Sequence, residues 1–147
     1  DPLWFLRVFR SKAAWIVVYW EGETHMFFPG DPGYDPIMDA FADGVSHWQG
    51  YEHGVGLSDE NLARYRDQEC FLELHYNKPV QVHTRFLYPE ARNFFVPLSG
   101  THAEYHRVFA GLTDAPRIGV LNMSGSRYET LVEMVETALE NHLAHEH

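Results

Sequence analysis

The sequence is poor in cysteine and in basic residues, and each shortage excludes a class of protein. Its one cysteine, Cys70, can form no internal disulfide, so a disulfide-stapled secreted scaffold is excluded. Lysine and arginine total 11 against 21 aspartates and glutamates, which gives a formal charge of −10. Because a field of that sign repels phosphate backbones, we expect no nucleic-acid partner. Cys70 has no cationic neighbour in sequence and begins an apolar run, which predicts a buried thiol.

Long apolar runs are also missing, which excludes a transmembrane helix within the chain. The longest wholly apolar stretch after the basic N-terminal residues, Ala13 to Trp20, spans eight residues, whereas a spanning helix needs about 20. The chain begins with Asp1 rather than methionine. We therefore expect it to be a piece of a longer protein.

Residues 1–12 combine apolar side chains at helical spacing with basic residues between them. The apolar positions are Trp4, Phe5, Val8 and Phe9, and the basic positions are Arg7, Arg10 and Lys12. The pattern is typical of a segment packed on the domain, which we favour, and also of an interfacial segment beside a membrane. A membrane helix upstream would, by the positive-inside tendency, place this domain in the cytoplasm at the membrane face. The lone free thiol also favours the cytoplasm.

Apolar periodicity predicts a single α+β domain over residues 1–147, in which a mainly antiparallel meander sheet carries two principal helices on one face. Strands are predicted at Ala13–Trp20 and Thr24–Phe28, and helices at Asp35–Gln49, Ser58–Gln68 and Ser126–Leu143. The first and last of these helices have apolar stripes at spacings of three and four, so they are the two that we expect to cover the sheet. Six or seven strands are expected in total.

The stretch from residue 70 to 98 alternates between apolar and polar positions with period two. Turn residues at 77–79 and 89–91 divide this stretch into three predicted strands. The register that follows pairs Leu74 with Val82 across the first turn. Every even-numbered apolar residue then lies on one face of the sheet, which the two principal helices would cover.

The odd-numbered face of this predicted hairpin holds the best candidates for chemistry in the chain. The register places Glu73 opposite His83, with His75 and Arg85 beside them. A carboxylate, two imidazoles and a guanidinium could bind a small acid or exchange protons. The alternative, which we favour, is the water-exposed face of a half-buried sheet, where cross-strand charge pairs are routine.

A second histidine pattern occurs in Gly100–Gly111, where His102 and His106 lie four residues apart. On a helix both imidazoles could reach one ion, whereas on a strand they are separated by about 13 Å. The regular spacing of neighbouring strand-like runs favours a strand at Tyr105–Phe109. We therefore predict no metal site.

No nucleophile elbow, phosphate-binding loop or dinucleotide-binding motif is present in the sequence, and we expect no cofactor. We predict a non-catalytic domain that binds a protein or a small molecule, within a longer protein that a membrane anchor tethers. The alternative is a small enzyme that uses Glu73, His75, His83 and Arg85. A third alternative is homo-oligomerisation through the N-terminal apolar segment or an exposed sheet edge.

Overall fold

The structure is a computed structural model that describes residue 9 and residues 11–53, 56–81, 90–112 and 119–145. These residues form seven β-strands in one sheet, three α-helices and a 3-10 helix. Every pair of neighbouring strands is antiparallel. The prediction of an α+β fold with a mainly antiparallel meander sheet is confirmed.

The strands and helices follow one another closely along the described chain. The strands are β1 Trp15–Trp20, β2 Glu23–Phe27, β3 Gly50–His53, β4 Cys70–Gln81, β5 Glu90–Pro97, β6 Arg107–Gly111 and β7 Gly119–Asn122. The helices are α1 Tyr34–Ser46, α2 Asp59–Gln68 and α3 Gly125–His145, and the 3-10 helix is Thr101–Tyr105. The sheet order is β2-β1-β4-β5-β6-β7-β3. The strands β4 to β7 thus form a meander, with the β1–β2 hairpin at one end of the sheet and β3 at the other.

The larger core lies between one face of the sheet and the helices α1 and α3. Phe41 of α1 and Leu131 of α3 are fully buried against the even-numbered strand residues Leu74 and Phe94. The described residue of the N-terminal stripe, Phe9, joins this core and makes edge contacts with Phe41 and Phe94. The prediction that the two principal helices pack on one face is confirmed.

The opposite face of the sheet is covered by α2, and a second core fills the space beneath it. The Tyr65 and Phe71 rings stack with centroids 5.2 Å apart, and the Phe71 and Phe95 rings with centroids 6.2 Å apart. Our expectation that this odd-numbered face is open to water was wrong along β4. The helix α2 buries only Leu62 and Tyr65. So short an apolar stripe does not indicate in sequence that α2 packs on the sheet.

Strand β4 continues through the turn that we predicted at residues 77–79. His75 pairs with Asn93 and Val80 pairs with Ala91, so β4 advances five residues while β5 advances two. A bulge in β4 therefore absorbs the turn residues, as such insertions do in antiparallel ladders. The predicted hairpin pairing is wrong, because Leu74 lies opposite Phe94.

The stretch Gly100–Gly111 is divided at His106 rather than forming one strand. Thr101–Tyr105 is a 3-10 helix, His106 is in the left-handed region with φ 52°, and β6 then begins at Arg107. The predicted strand at Tyr105–Phe109 is therefore correct only in its second half. Gly100 has φ 79°, a backbone conformation that is strained for residues with a side chain. Glycine therefore allows the chain to turn away from β5 at this position.

Candidate functional site

Two of the four candidate residues, Glu73 and His75, lie two positions apart on β4 and face α2. The cross-strand neighbours of His75 are Trp15 on β1 and Asn93 on β5. Glu73 is 1% exposed and His75 is 8% exposed. Both side chains are therefore buried rather than spread over a wet sheet face, because α2 and the aromatic rings of neighbouring strands cover them.

The buried Glu73 carboxylate is held by a fork of hydrogen bonds from Arg66 on α2. Arg66 Nε donates to Glu73 Oε2 at 2.6 Å, and Arg66 Nη2 donates to Glu73 Oε1 at 3.0 Å. His75 Nε2 lies 3.0 Å from Glu73 Oε1, and His75 Nδ1 lies 2.6 Å from Asn93 Oδ1. We call these four residues the Glu73 network. Bidentate arginine–carboxylate pairs are among the strongest hydrogen-bonded pairs in proteins.

The Glu73 network has little contact with water. The Trp15 and His75 rings stack with centroids 5.2 Å apart and an interplanar angle of 20°. The guanidinium of Arg66 lies 5.8 Å from the centre of the Tyr19 ring and is the most exposed part of the network. Both nitrogens of His75 face acceptor oxygens, an arrangement that a protonated imidazole satisfies by donating to both. The network therefore joins α2 to the two strands β4 and β5 through hydrogen bonds.

Sequence reasoning identified two members of the network and missed the other two. Asn93 would have been found from the correct strand register, since it lies directly opposite His75. Arg66 gives no such signal, because its partner lies on another element. The remaining candidates, His83 and Arg85, lie outside the described residues, so the convergence of all four candidates stays a prediction.

The described histidines and the single cysteine show no sign of a metal centre. Within the described residues, no group of three or more histidine, cysteine, aspartate or glutamate side chains could hold a metal ion. The His106 ring packs on Tyr128, with centroids 4.7 Å apart. Cys70 is buried, as predicted, and its burial raises the pKa of the thiol. A thiol of raised pKa is a poor nucleophile at neutral pH.

Two cavities are lined by other parts of the described chain. One, of about 400 Å³, lies between the β1–β2 hairpin and the C-terminal half of α3, and we call it the α3 groove. The other, of about 300 Å³, lies beside the β4 bulge and includes Lys12 and Lys78. Neither lining includes Glu73 or His75. The α3 groove was not foreseen in sequence, because its two walls lie more than a hundred residues apart along the chain.

Comparison with known proteins gives a likeness of fold. No family model matches the sequence, and no curated protein is similar to it. The crystal structure of YycH from Bacillus subtilis superimposes with a TM-score of 0.61 at 11% identity, covering 88% of this chain. This chain spans 38% of the length of YycH. At that identity the likeness shows a shared fold.

The likeness to YycH overturns the cytoplasmic location that we predicted. YycH is a membrane-anchored protein with an extracytoplasmic domain, so the cytoplasmic prediction is wrong. The prediction used the basic residues within 1–12, whereas the positive-inside tendency compares the charges on both sides of an anchor. Charges on one side of an anchor alone do not determine which way the protein is oriented in the membrane. Among the helices of the described residues, none has the length and apolar character to span a membrane.

Proposed function

We propose that this chain is a non-catalytic interaction domain of a longer membrane-anchored protein, that it lies outside the cytoplasm, and that it binds a protein partner. The observation that carries this proposal is the fold likeness to YycH over 88% of the chain. YycH is a membrane-anchored regulator that interacts with a sensor kinase, which is a protein partner.

The Glu73 network supports an interaction domain over a small enzyme. Its carboxylate accepts hydrogen bonds from Arg66 and His75, and the second nitrogen of His75 contacts Asn93. A general acid or base needs a hydrogen bond to its substrate, whereas these groups are engaged with one another beneath α2. Their geometry favours a role in stabilising the fold.

The single thiol is consistent with an oxidising compartment because it is buried. Cys70 is 9% exposed, and burial raises the pKa of its thiol. Oxidation and disulfide exchange proceed through the thiolate. A thiol that is both buried and protonated is therefore protected from both reactions.

The location is tested by labelling a surface cysteine in cells that express the full-length protein. Glu129→Cys places a thiol on the exposed face of α3, and a membrane-impermeant maleimide is applied to intact spheroplasts. We expect the same labelling before and after permeabilisation. The parent protein, with any cysteine outside this chain replaced by serine, should stay unlabelled until it is denatured, because Cys70 is buried. Labelling of Glu129→Cys only after permeabilisation would overturn the extracytoplasmic location.

Partner binding is tested by photo-crosslinking from exposed apolar positions of the full-length protein in the same cells. The large hydrophobic residues that are exposed in the described chain are Met26, Phe28, Tyr105, Leu112 and Leu143. Each is replaced in turn by a benzophenone amino acid. We expect at least one position to give a single protein adduct, and adducts from none of the five would contradict a protein-binding role.

A further inference from the structure

The α3 groove has one wall on the helix and one on the hairpin. Glu136, Leu139, Glu140 and Leu143 line it from α3, and spacings of three and four place all four on one side of the helix. The opposite wall is formed by Trp20 of β1 with Glu23 and His25 of β2. A volume of about 400 Å³ is enough for one or two large side chains of a ligand.

The floor of the groove is apolar and its rim is acidic. Leu139 is buried, and Leu143, at 41% exposed, extends the apolar surface towards water. Glu136 and Glu140 are exposed on the helix side, and the Glu23 side chain is 73% exposed on the strand side. Among the described residues, none of those lining the groove is a lysine or arginine. The groove therefore suits a side chain that is apolar along its stem and positively charged at its tip.

The groove adjoins the edge of the sheet. Strand β2 is the first strand in the sheet order, and on its outer side no strand of the described chain pairs with it. An edge strand of this kind can accept an additional strand, with backbone hydrogen bonds supplying affinity and side-chain pockets supplying specificity.

The two faces of this edge differ in chemistry. His25 of β2 faces the groove, whereas Met26, which pairs with Val17, faces the other side of the sheet. Met26 is 43% exposed and Phe28 is 48% exposed. Since successive side chains of a strand alternate between faces, an added strand would place every second residue against the acidic groove and the others beside the exposed apolar side chains Met26 and Phe28.

We propose that the edge of β2 and the α3 groove together bind an extended segment of a partner protein in which basic and apolar side chains alternate. The arginine or lysine stems pack on Trp20 and Leu139, and their charges lie near Glu23, Glu136 and Glu140. This inference rests on the proposed function and names the chemistry of the partner. A second copy of this chain is a poorer occupant, because its own edge strand carries an acidic residue and no lysine or arginine.

The charge complementarity is tested in solution with the full chain and a capped synthetic peptide of sequence Thr-Val-Arg-Val-Arg-Val-Thr. Calorimetric titration at low salt is run on Glu136→Gln/Glu140→Gln and on the matched control Glu129→Gln/Glu133→Gln. The control removes the same two charges from exposed positions of α3 outside the groove lining. We expect binding to weaken by about tenfold in the groove variant and by less than about twofold in the control.

Two further reagents separate groove binding from general attraction to an acidic protein. A peptide in which citrulline replaces arginine should bind the parent chain about tenfold more weakly, as the arginine peptide binds the groove variant. The Leu143→Lys variant should not bind the peptide, because it places a cation in the groove. Thermal melts confirm that each variant is folded. Equal weakening in the groove and control variants, or no binding at peptide concentrations up to about 1 mM, would overturn the inference.

The in-cell crosslinks distinguish failure of this inference from failure of the proposed function. Benzophenone at Met26, Phe28 and Leu143 should capture the partner, and Glu136→Gln/Glu140→Gln should reduce the yield of these adducts. Adducts only from Tyr105 or Leu112 would leave the partner-binding role intact and refute the groove. Capture of a second copy of the chain from Met26 would refute a separate partner.

Discussion

At Glu73, one carboxylate accepts hydrogen bonds from a guanidinium and an imidazole in a site that is almost dry. A buried charge is costly unless its partners are fixed, and removing one member leaves the others uncompensated. The interior of this protein therefore tolerates Glu73 only because Arg66, on a different element, is held within 2.6 Å of it.

Glu73→Ala should lower the free energy of unfolding by about 3–5 kcal/mol, because it leaves Arg66 and His75 without their shared acceptor. Glu73→Gln retains an acceptor oxygen and should cost about 1–3 kcal/mol. Urea denaturation measures both. The exposed control Glu129→Ala should stay within about 0.5 kcal/mol of the parent. A Glu73→Ala protein as stable as this control would show that the network adds nothing to stability.

At the scale of the elements, α1 approaches its neighbours at two glycines with different surroundings. A Cβ at Gly33, which caps α1, would lie 2.6 Å from Ala138 Cβ and 2.7 Å from a Phe27 ring carbon. A Cβ at Gly44, within α1, would lie 2.6 Å from Met123 Sδ. The Met123 side chain is flexible and can move, whereas the Ala138 Cβ is fixed to the backbone of α3.

Gly33→Ala should therefore destabilise the fold more than Gly44→Ala. Overpacking at Gly33 should cost about 1–3 kcal/mol. At Gly44, alanine gains about 1 kcal/mol in helix propensity. This gain offsets the free-energy cost of displacing the Met123 side chain. Denaturant unfolding of the two variants compares them directly. An equal loss at both positions would mean that α1 can shift away from α3 at little cost.

At the scale of the whole molecule, buried tyrosine hydroxyls tie separate layers to backbone carbonyls. The Tyr76 hydroxyl donates to Ser11 O at 3.3 Å, and the Tyr128 hydroxyl donates to Pro97 O at 2.7 Å. Burial raises the pKa of both tyrosines well above the ordinary value. Each folded hydroxyl therefore stays protonated at pH values where the unfolded chain begins to lose that proton.

This difference predicts an alkaline loss of stability. A raised folded pKa contributes stability that is complete below the unfolded pKa, about 10 for tyrosine, and that is lost as the pH rises above it. Stability should therefore fall more steeply above about pH 10 in the parent than in Tyr128→Phe. Urea unfolding as a function of pH measures the two slopes, and identical slopes would contradict a raised pKa at Tyr128.

Local patterns predicted much of this architecture. The apolar stripes of α1 and α3 contain enough residues to fix the helical period and the buried face. Strict alternation placed Leu74 and Phe94 on the same face, even though the predicted pairing of Leu74 with Val82 was wrong. The turn at residues 77–79 was wrong because turn residues can also be absorbed by a bulge. Which of the two occurs is decided by the pairing of β5 with β4.

The sequence by itself determined the fold class, the absence of an internal disulfide and the shared face of Leu74 and Phe94, because these follow from composition and from periods of two and 3.6 residues. Only the tertiary structure decided that α2 covers the second face, that Arg66 and Asn93 complete the site at Glu73, and that α3 and β2 enclose an acidic groove. Each of these joins residues on separate elements, whose relative placement depends on the packing of the whole chain. No local sequence pattern determines this relative placement of the elements.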